Sequence, residues 1–152
     1  AIPRRQRQMC IRDRGNDVAI LNLGTRLEKC IEASKFLNQN NIYPTIADAR
    51  FAKPLDTQLI DDLLNNHKYI LTIEEGSIGG FSSHVLHYVH NIRSKKDNVV
   101  IKNLIFPDRF VEHMTPDEQY QDIKMDTESI IRKINNFYEN KIVDIKNFKS
   151  KV

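Results

Sequence analysis

Short apolar runs that alternate with stretches of helical period constrain this chain more than any other feature. DVAILNLG at 17–24 is continuously apolar and closed by a glycine, the pattern of a strand buried on both faces. IYPTIADAR at 42–50, KYILTIEE at 68–75 and NVVIKNLIF at 98–106 read as three further strands. Pro44 lacks a backbone donor, so the second run belongs at a sheet edge or has the proline among its first residues. Between the runs lie helices. Thr25 and Glu28 have the spacing of a capping box, and Leu27, Cys30, Ile31, Ser34 and Leu37 then recur at three- and four-residue steps until NQNN ends the stripe. Asp56 is placed to cap a helix carrying Leu59, Ile60, Leu63 and Leu64. A helix starting near Phe81 presents Val85, Leu86 and Val89. Thr115, Pro116 and Glu118 supply an N-cap, an N1 proline and an N3 glutamate. Asp126 caps a long final helix with Ile130, Ile131, Ile134 and Phe137 inward. The fold class this predicts is α/β in three layers, a mostly parallel sheet flanked by helices.

A chain of 152 residues is enough for one such domain. With 40% hydrophobic and 28% charged residues it has an ordinary globular composition. No run approaches the roughly 20 apolar residues of a membrane span, and no apolar leader segment suggests secretion. Cys10 and Cys30 fit a reducing compartment, Cys30 as a core residue. The net charge of +3 comes from the ends: Arg4, Arg5, Arg7, Arg12 and Arg14 at the start, lysines from Lys141 to Lys151 at the finish. Nucleic-acid binders carry basic residues on a folded face among aromatics, so these ends read as solvated termini and no nucleic acid or membrane is expected as a partner.

The stretch TIEEGSIGGFSSHV at 72–85 raises the question of chemistry. It matches neither the P-loop nor the dinucleotide fingerprint, and two carboxylates precede its glycines. Glycines here permit a tight strand-to-helix turn. Ligands do bind at the carboxyl ends of strands in open α/β sheets, which keeps an anion site at Gly76, Gly79 and Gly80 as an alternative. Neighbouring residues on a strand point to opposite faces, so Glu74 and Glu75 form no acid–base dyad with each other; one of them can cap the next helix or cross a domain border. Ser77, Ser82 and Ser83 lack a nucleophile elbow. His84, His87 and His90 suggest a metal, but no convergent carboxylate or thiolate accompanies them, and they read as a helix flank. By themselves the residues describe an α/β domain without a recognisable active site.

Four stretches in this order and at these separations, DVAILNLGTRL, DARFAKPLD, TIEEGSIGGFSSHV and FPDRFVEH, resemble the C-terminal domain of 1-deoxy-D-xylulose-5-phosphate synthases, thiamine-diphosphate enzymes of the transketolase superfamily. The second and third also fit transketolases and the beta subunits of 2-oxo-acid dehydrogenases; PDRFVEH points to the synthases. The resemblance implies a whole enzyme that condenses pyruvate with glyceraldehyde 3-phosphate, chemistry that belongs to the cofactor's carbanion. It places thiamine diphosphate and Mg2+ on two preceding domains, so that no catalytic, cofactor-binding or metal-binding residue is expected here. It implies those preceding domains and a second copy in a homodimer as partners, with a cytoplasmic location in a bacterium and a plastid one in a eukaryote. Candidates for interface or loop-ordering contacts are Arg50, Phe51, Lys53, Pro54 and Asp56 after the second strand, Glu74, Glu75, Gly79 and Gly80 after the third, and Asp108, Arg109, Phe110 and His113 after the fourth. Arg50 and Arg109 could each pair bidentately with a carboxylate. Residues 1–14 match nothing in the family and read as a foreign or disordered leader, 15–140 as the domain and 141–152 as a basic tail.

Overall fold

The computed structural model describes residues 11–92 and 98–138, so residues 1–10 of the leader and the basic tail lie outside the described residues. Its centre is β2 (Val18–Leu23), which pairs in parallel with β3 (Thr45–Asp48) on one side and β4 (Tyr69–Glu74) on the other. Outside β4 lies β5 (Val100–Leu104), also parallel, and β1 (Ile11–Asp13) runs antiparallel along β3. The order is therefore β1-β3-β2-β4-β5, four parallel strands and one antiparallel edge. Ile11–Asp13 fall within the leader set apart above, yet they contribute this edge strand. Because β1 covers β3, Pro44 does not lie at an edge; it directly precedes the first residue of β3, where its missing donor costs no ladder bond.

Strand alternation divides the core in two. Val18, Ile20, Ile46, Leu71 and Ile73 face one side, under α1 (Leu27–Gln39) and α5 (Thr127–Asn135). Ala19, Leu21, Ala47 and Ile70 face the other, under α2 (Thr57–Asn66) and α3 (Phe81–His87). Helices on both faces make the three layers, and burial of each large side chain such as Ile20 or Leu71 contributes about 1.5–3 kcal/mol. Among the described residues no helix is long and apolar enough to cross a membrane.

Several helix boundaries differ from the periodic expectation. The helix begun at Phe81 is α-helical only to His87 and continues as a π-helical stretch, Tyr88–Ile92. The last helix has 9 residues, and Phe137 packs beyond its end, with its ring centroid 4.9 Å from that of Tyr69. The capping box of α4 (Pro116–Asp122) is present in both halves: the Thr115 amide donates to Glu118 Oε2 at 3.0 Å and the Glu118 amide to Thr115 Oγ1 at 3.4 Å. Asp56 caps α2 by accepting the Leu59 amide at 3.0 Å. Asp126 sits at the N-cap of α5, but its carboxylate takes the Ser129 hydroxyl instead of a backbone amide. The box expected from Thr25 and Glu28 does not form. Arg26 is the N-cap residue of α1, and the Thr25 hydroxyl donates to Glu75 instead.

At the opposite, amino-terminal edge of the sheet the chain enters β2 through Gly15. Any Cβ there would lie 1.7 Å from the Tyr43 carbonyl oxygen, so only glycine fits. The buried His67 ring locks this corner, with Nδ1 2.9 Å from the Leu63 carbonyl and Nε2 2.7 Å from Thr45 Oγ1.

Candidate functional site

The parallel strands all direct their carboxyl ends to one edge, where the loops after β2, β3, β4 and β5 meet solvent. Open α/β sheets place their ligand sites at this edge. Here the edge is organised by the two adjacent glutamates, which alternation sends to opposite faces.

Glu74 turns toward the α3 side. Its Oε2 accepts the Phe81 amide at 2.7 Å and its Oε1 the Ser82 amide at 2.9 Å, so the carboxylate itself fills the anion position at the start of the helix. The glycines make room for it. A Cβ on Gly80 would lie 2.6 Å from Glu74 Oε2 and one on Gly76 3.1 Å from it. Gly79 has φ +100, a conformation that favours glycine, and its amide donates to Ser83 Oγ at 2.9 Å. The loop is thus a cradle for a carboxylate of this chain, which removes the anion site considered for Gly76 to Gly80. Ser82 is buried, its hydroxyl 3.1 Å from that of Thr72, which in turn donates to Asn103 Oδ1 at 2.9 Å; it is no exposed nucleophile.

Glu75 turns to the α1 side. Its Oε1 accepts the Thr25 hydroxyl and, at 2.6 Å, the Tyr120 hydroxyl from α4. Arg26 Nε lies 3.2 Å from the same oxygen as an ion pair whose N–H direction falls outside hydrogen-bond geometry, and the guanidinium carbon stacks 3.4 Å from the centre of the Tyr120 ring. Burial would raise the Glu75 carboxyl, but the hydrogen bonds from Thr25 and Tyr120 and the charge of Arg26 outweigh it and hold the group below its ordinary value. The Tyr120 hydroxyl is raised, chiefly because Glu75 holds its proton. This node joins the β2 loop, the end of β4 and α4.

Of the other candidates, Arg109 also closes a loop within the domain: its Nη2 donates to Asp122 Oδ2 at 2.6 Å and to the Asp122 carbonyl at 3.1 Å. Arg50 is exposed and sits at φ +60, a left-handed conformation uncommon for a residue with a side chain. Lys53, Pro54, Asp108 and His113 are exposed, and Asp56 is spent on its helix cap. Phe51 is 59% exposed and Phe110 fully so, and Ile78, at the tip of the glycine loop, is 75% exposed. Glu74 and Glu75 are both paired within the chain, so neither stands free to hold Mg2+. No group of three His, Cys, Asp or Glu among the described residues could hold a metal ion.

A family profile described as Transketolase, C-terminal domain, matches residues 8–130, most of the chain. The chain belongs to this family. As a transketolase C-terminal domain it is 44% identical over 108 residues to a probable 1-deoxy-D-xylulose-5-phosphate synthase 2, chloroplastic, of Oryza sativa subsp. japonica, which bears out the resemblance carried by the four stretches. That similarity takes in 71% of this chain but only 15% of the rice protein, so the chain spans a small part of its curated relative. Among solved structures it is similar to a split gene transketolase described as an inactive beta4 tetramer, with a TM-score of 0.74 and 22% identity over 87% of this chain and 42% of that one. It is also similar to a Pichia stipitis transketolase, with a TM-score of 0.59 and 17% identity over 86% of this chain and 18% of that one. At these identities the structural likenesses establish the fold.

Within this transketolase C-terminal domain, the family match begins at residue 8, inside the leader expected to match nothing. Sequence reasoning foresaw that the two glutamates separate and that one could cap a helix. It missed Thr25, Arg26 and Tyr120 as partners of Glu75, Asp122 as the partner of Arg109, and Ile78 as an outward apolar tip. Thr25 carried a misleading local signal, and Tyr120 and Asp122 carried none.

Proposed function

We propose that this chain serves as the C-terminal scaffold of a 1-deoxy-D-xylulose-5-phosphate synthase. The whole enzyme would decarboxylate pyruvate and condense it with glyceraldehyde 3-phosphate, giving 1-deoxy-D-xylulose 5-phosphate and CO2 for isoprenoid synthesis. The carbanion chemistry would be supplied by thiamine diphosphate held with Mg2+ on preceding domains. The observation that carries the scaffold reading is the make-up of the carboxyl edge. Glu74 and Glu75 are paired inward, while Phe51, Ile78 and Phe110 project outward from three of its loops. Outward apolar side chains beside exposed Arg50 suit a border with a neighbouring domain or a second subunit, where aromatic and arginine anchors dominate the binding energy. The similarity to the rice protein favours the synthase over a 2-oxo-acid dehydrogenase beta subunit, and its chloroplastic description supports a plastid location for the whole protein.

Calorimetry and a coupled assay test this. The isolated chain is expected to bind no thiamine diphosphate and to form no product from pyruvate and glyceraldehyde 3-phosphate, and addition of the separately produced preceding domains is expected to restore turnover. Formation of acetoin or sugar phosphate by the chain alone would overturn the reading.

A further inference from the structure

A cleft of about 360 Å3 opens on the α3 side of the sheet, between the loop leading into α2 and the α3–π helical stretch. Its walls are apolar, formed chiefly by Leu55, Tyr88 and Ile92. Its rim is basic. Lys53 reaches it from the loop, and His84 and His87, one turn apart, reach it from the helix; the Thr57 side chain completes the polar set. Among the described residues no acidic side chain lines it.

The described carboxylates at the start of and within α2, Asp56, Asp61 and Asp62, have other partners, that of Asp62 being Arg14 at 3.8 Å. Asp56 accepts the Leu59 amide at 3.0 Å, and Asp61 Oδ2 accepts the Tyr88 hydroxyl at 2.9 Å. The second bond also fixes the Tyr88 ring as a wall. The π-helical stretch Tyr88–Ile92 shifts the helical register where Tyr88 and Ile92 line the cleft, and such insertions are frequent at functional sites. An apolar trough with a basic rim is complementary to an anion carried on an apolar group.

We infer that this cleft binds a small monocarboxylate carried on an apolar stem, the carboxylate at Lys53, His84 and Thr57 and the stem between Leu55, Tyr88 and Ile92. Its volume is near the lower end of the roughly 300–1,000 Å3 typical of small-molecule sites, which suits a phenylacetate-sized ligand better than a nucleotide. Walls of Leu55, Tyr88 and Ile92 offer an apolar stem more than they offer inorganic phosphate, which has none. The inference does not rest on the scaffold role.

The test is an NMR titration of the whole chain with phenylacetate, following the imidazole signals of His84 and His87. The expected result is a saturable shift with a Kd in the millimolar range, weakened about tenfold in Lys53→Met by loss of a charge-assisted contact. The neutral analogue phenylacetamide is expected to bind about tenfold more weakly than phenylacetate by the same reasoning. Lys53 is exposed, so Lys53→Met should leave Tm unchanged, and His84→Gln gives a second, milder probe of the rim. Absence of a saturable shift, equal binding of the amide, stronger binding of inorganic phosphate, or an unaltered Kd in Lys53→Met would each overturn the inference.

Discussion

Glu74 and Glu75 have the same side chain and adjacent positions, and the pleat of β4 alone sends one into each half of the core. Glu74 is buried, which for a carboxylate requires full pairing, and the amides of Phe81 and Ser82 provide it. Replacing it with Ala leaves two buried amides without acceptors and should cost about 1–3 kcal/mol in urea unfolding. Gly80→Ala should cost about as much in the native background, because its Cβ meets Glu74 Oε2 at 2.6 Å. The two losses should be strongly non-additive. With Glu74→Ala in place the obstructing atom is gone, so a double-mutant cycle that returned simple additivity would refute the assignment of Gly80 to this carboxylate. Cys30 makes the opposite case of a group kept silent by its surroundings: burial pushes its thiol up to about 12, with Arg26 opposing and Asp48 adding. The divergence of the glutamates was legible in the sequence, since alternation is a property of any strand. Which atoms would receive them was not.

At the scale of elements, two capping boxes with the same spacing had different outcomes. The one at Thr115 and Glu118 forms because both partners lie within one turn and nothing else competes for them. The one at Thr25 and Glu28 does not form because the helix starts one residue later, with Arg26 as its N-cap, and the Thr25 hydroxyl meets Glu75 at the end of β4. Donated to a carboxylate, the Thr25 hydroxyl makes a charge-assisted bond to a distant element. The start of α1 is therefore held by β4 and α4 and not by its own first turn. Glu75→Gln should lower Tm at pH 7 by roughly 3 °C, from a loss of about 1 kcal/mol. The folded-state carboxyl lies below its unfolded value, so its contribution is present above the unfolded value of about 4.3 and is lost as pH falls beneath it. Thermal melts of the two proteins should accordingly converge at acid pH; a gap that stayed constant would show that charge at Glu75 is irrelevant to α1. Element lengths were less legible than element order. Hydrophobic period carried the helix from Phe81 through Val89, but nothing in it announced the π-helical stretch after His87, where Tyr88 donates to Asp61 on α2.

Across the whole molecule, helices cover both faces of the sheet while the loops at its carboxyl edge leave Phe51, Ile78 and Phe110 in solvent. Changing all three to Ser should alter the stability of the isolated chain by no more than about 0.5 kcal/mol per site, since they pack against little within it. Under the scaffold reading the same variant should no longer associate with the preceding domains, which analytical ultracentrifugation of the mixture would measure; undiminished association would place the border elsewhere. By itself the sequence determined the alternation of strands and helices, the predominantly parallel sheet, most of the core and the separation of the two glutamates. These follow from periodicity and local sterics, which act within a few residues. Tertiary structure alone decided that Ile11–Asp13 would close the edge beside β3, that Thr25, Arg26 and Tyr120 would converge on Glu75, and that three apolar tips would be left outward. Thr25 and Tyr120 lie 50 and 45 residues from Glu75, and competition among donors that distant is settled only when packing brings them together.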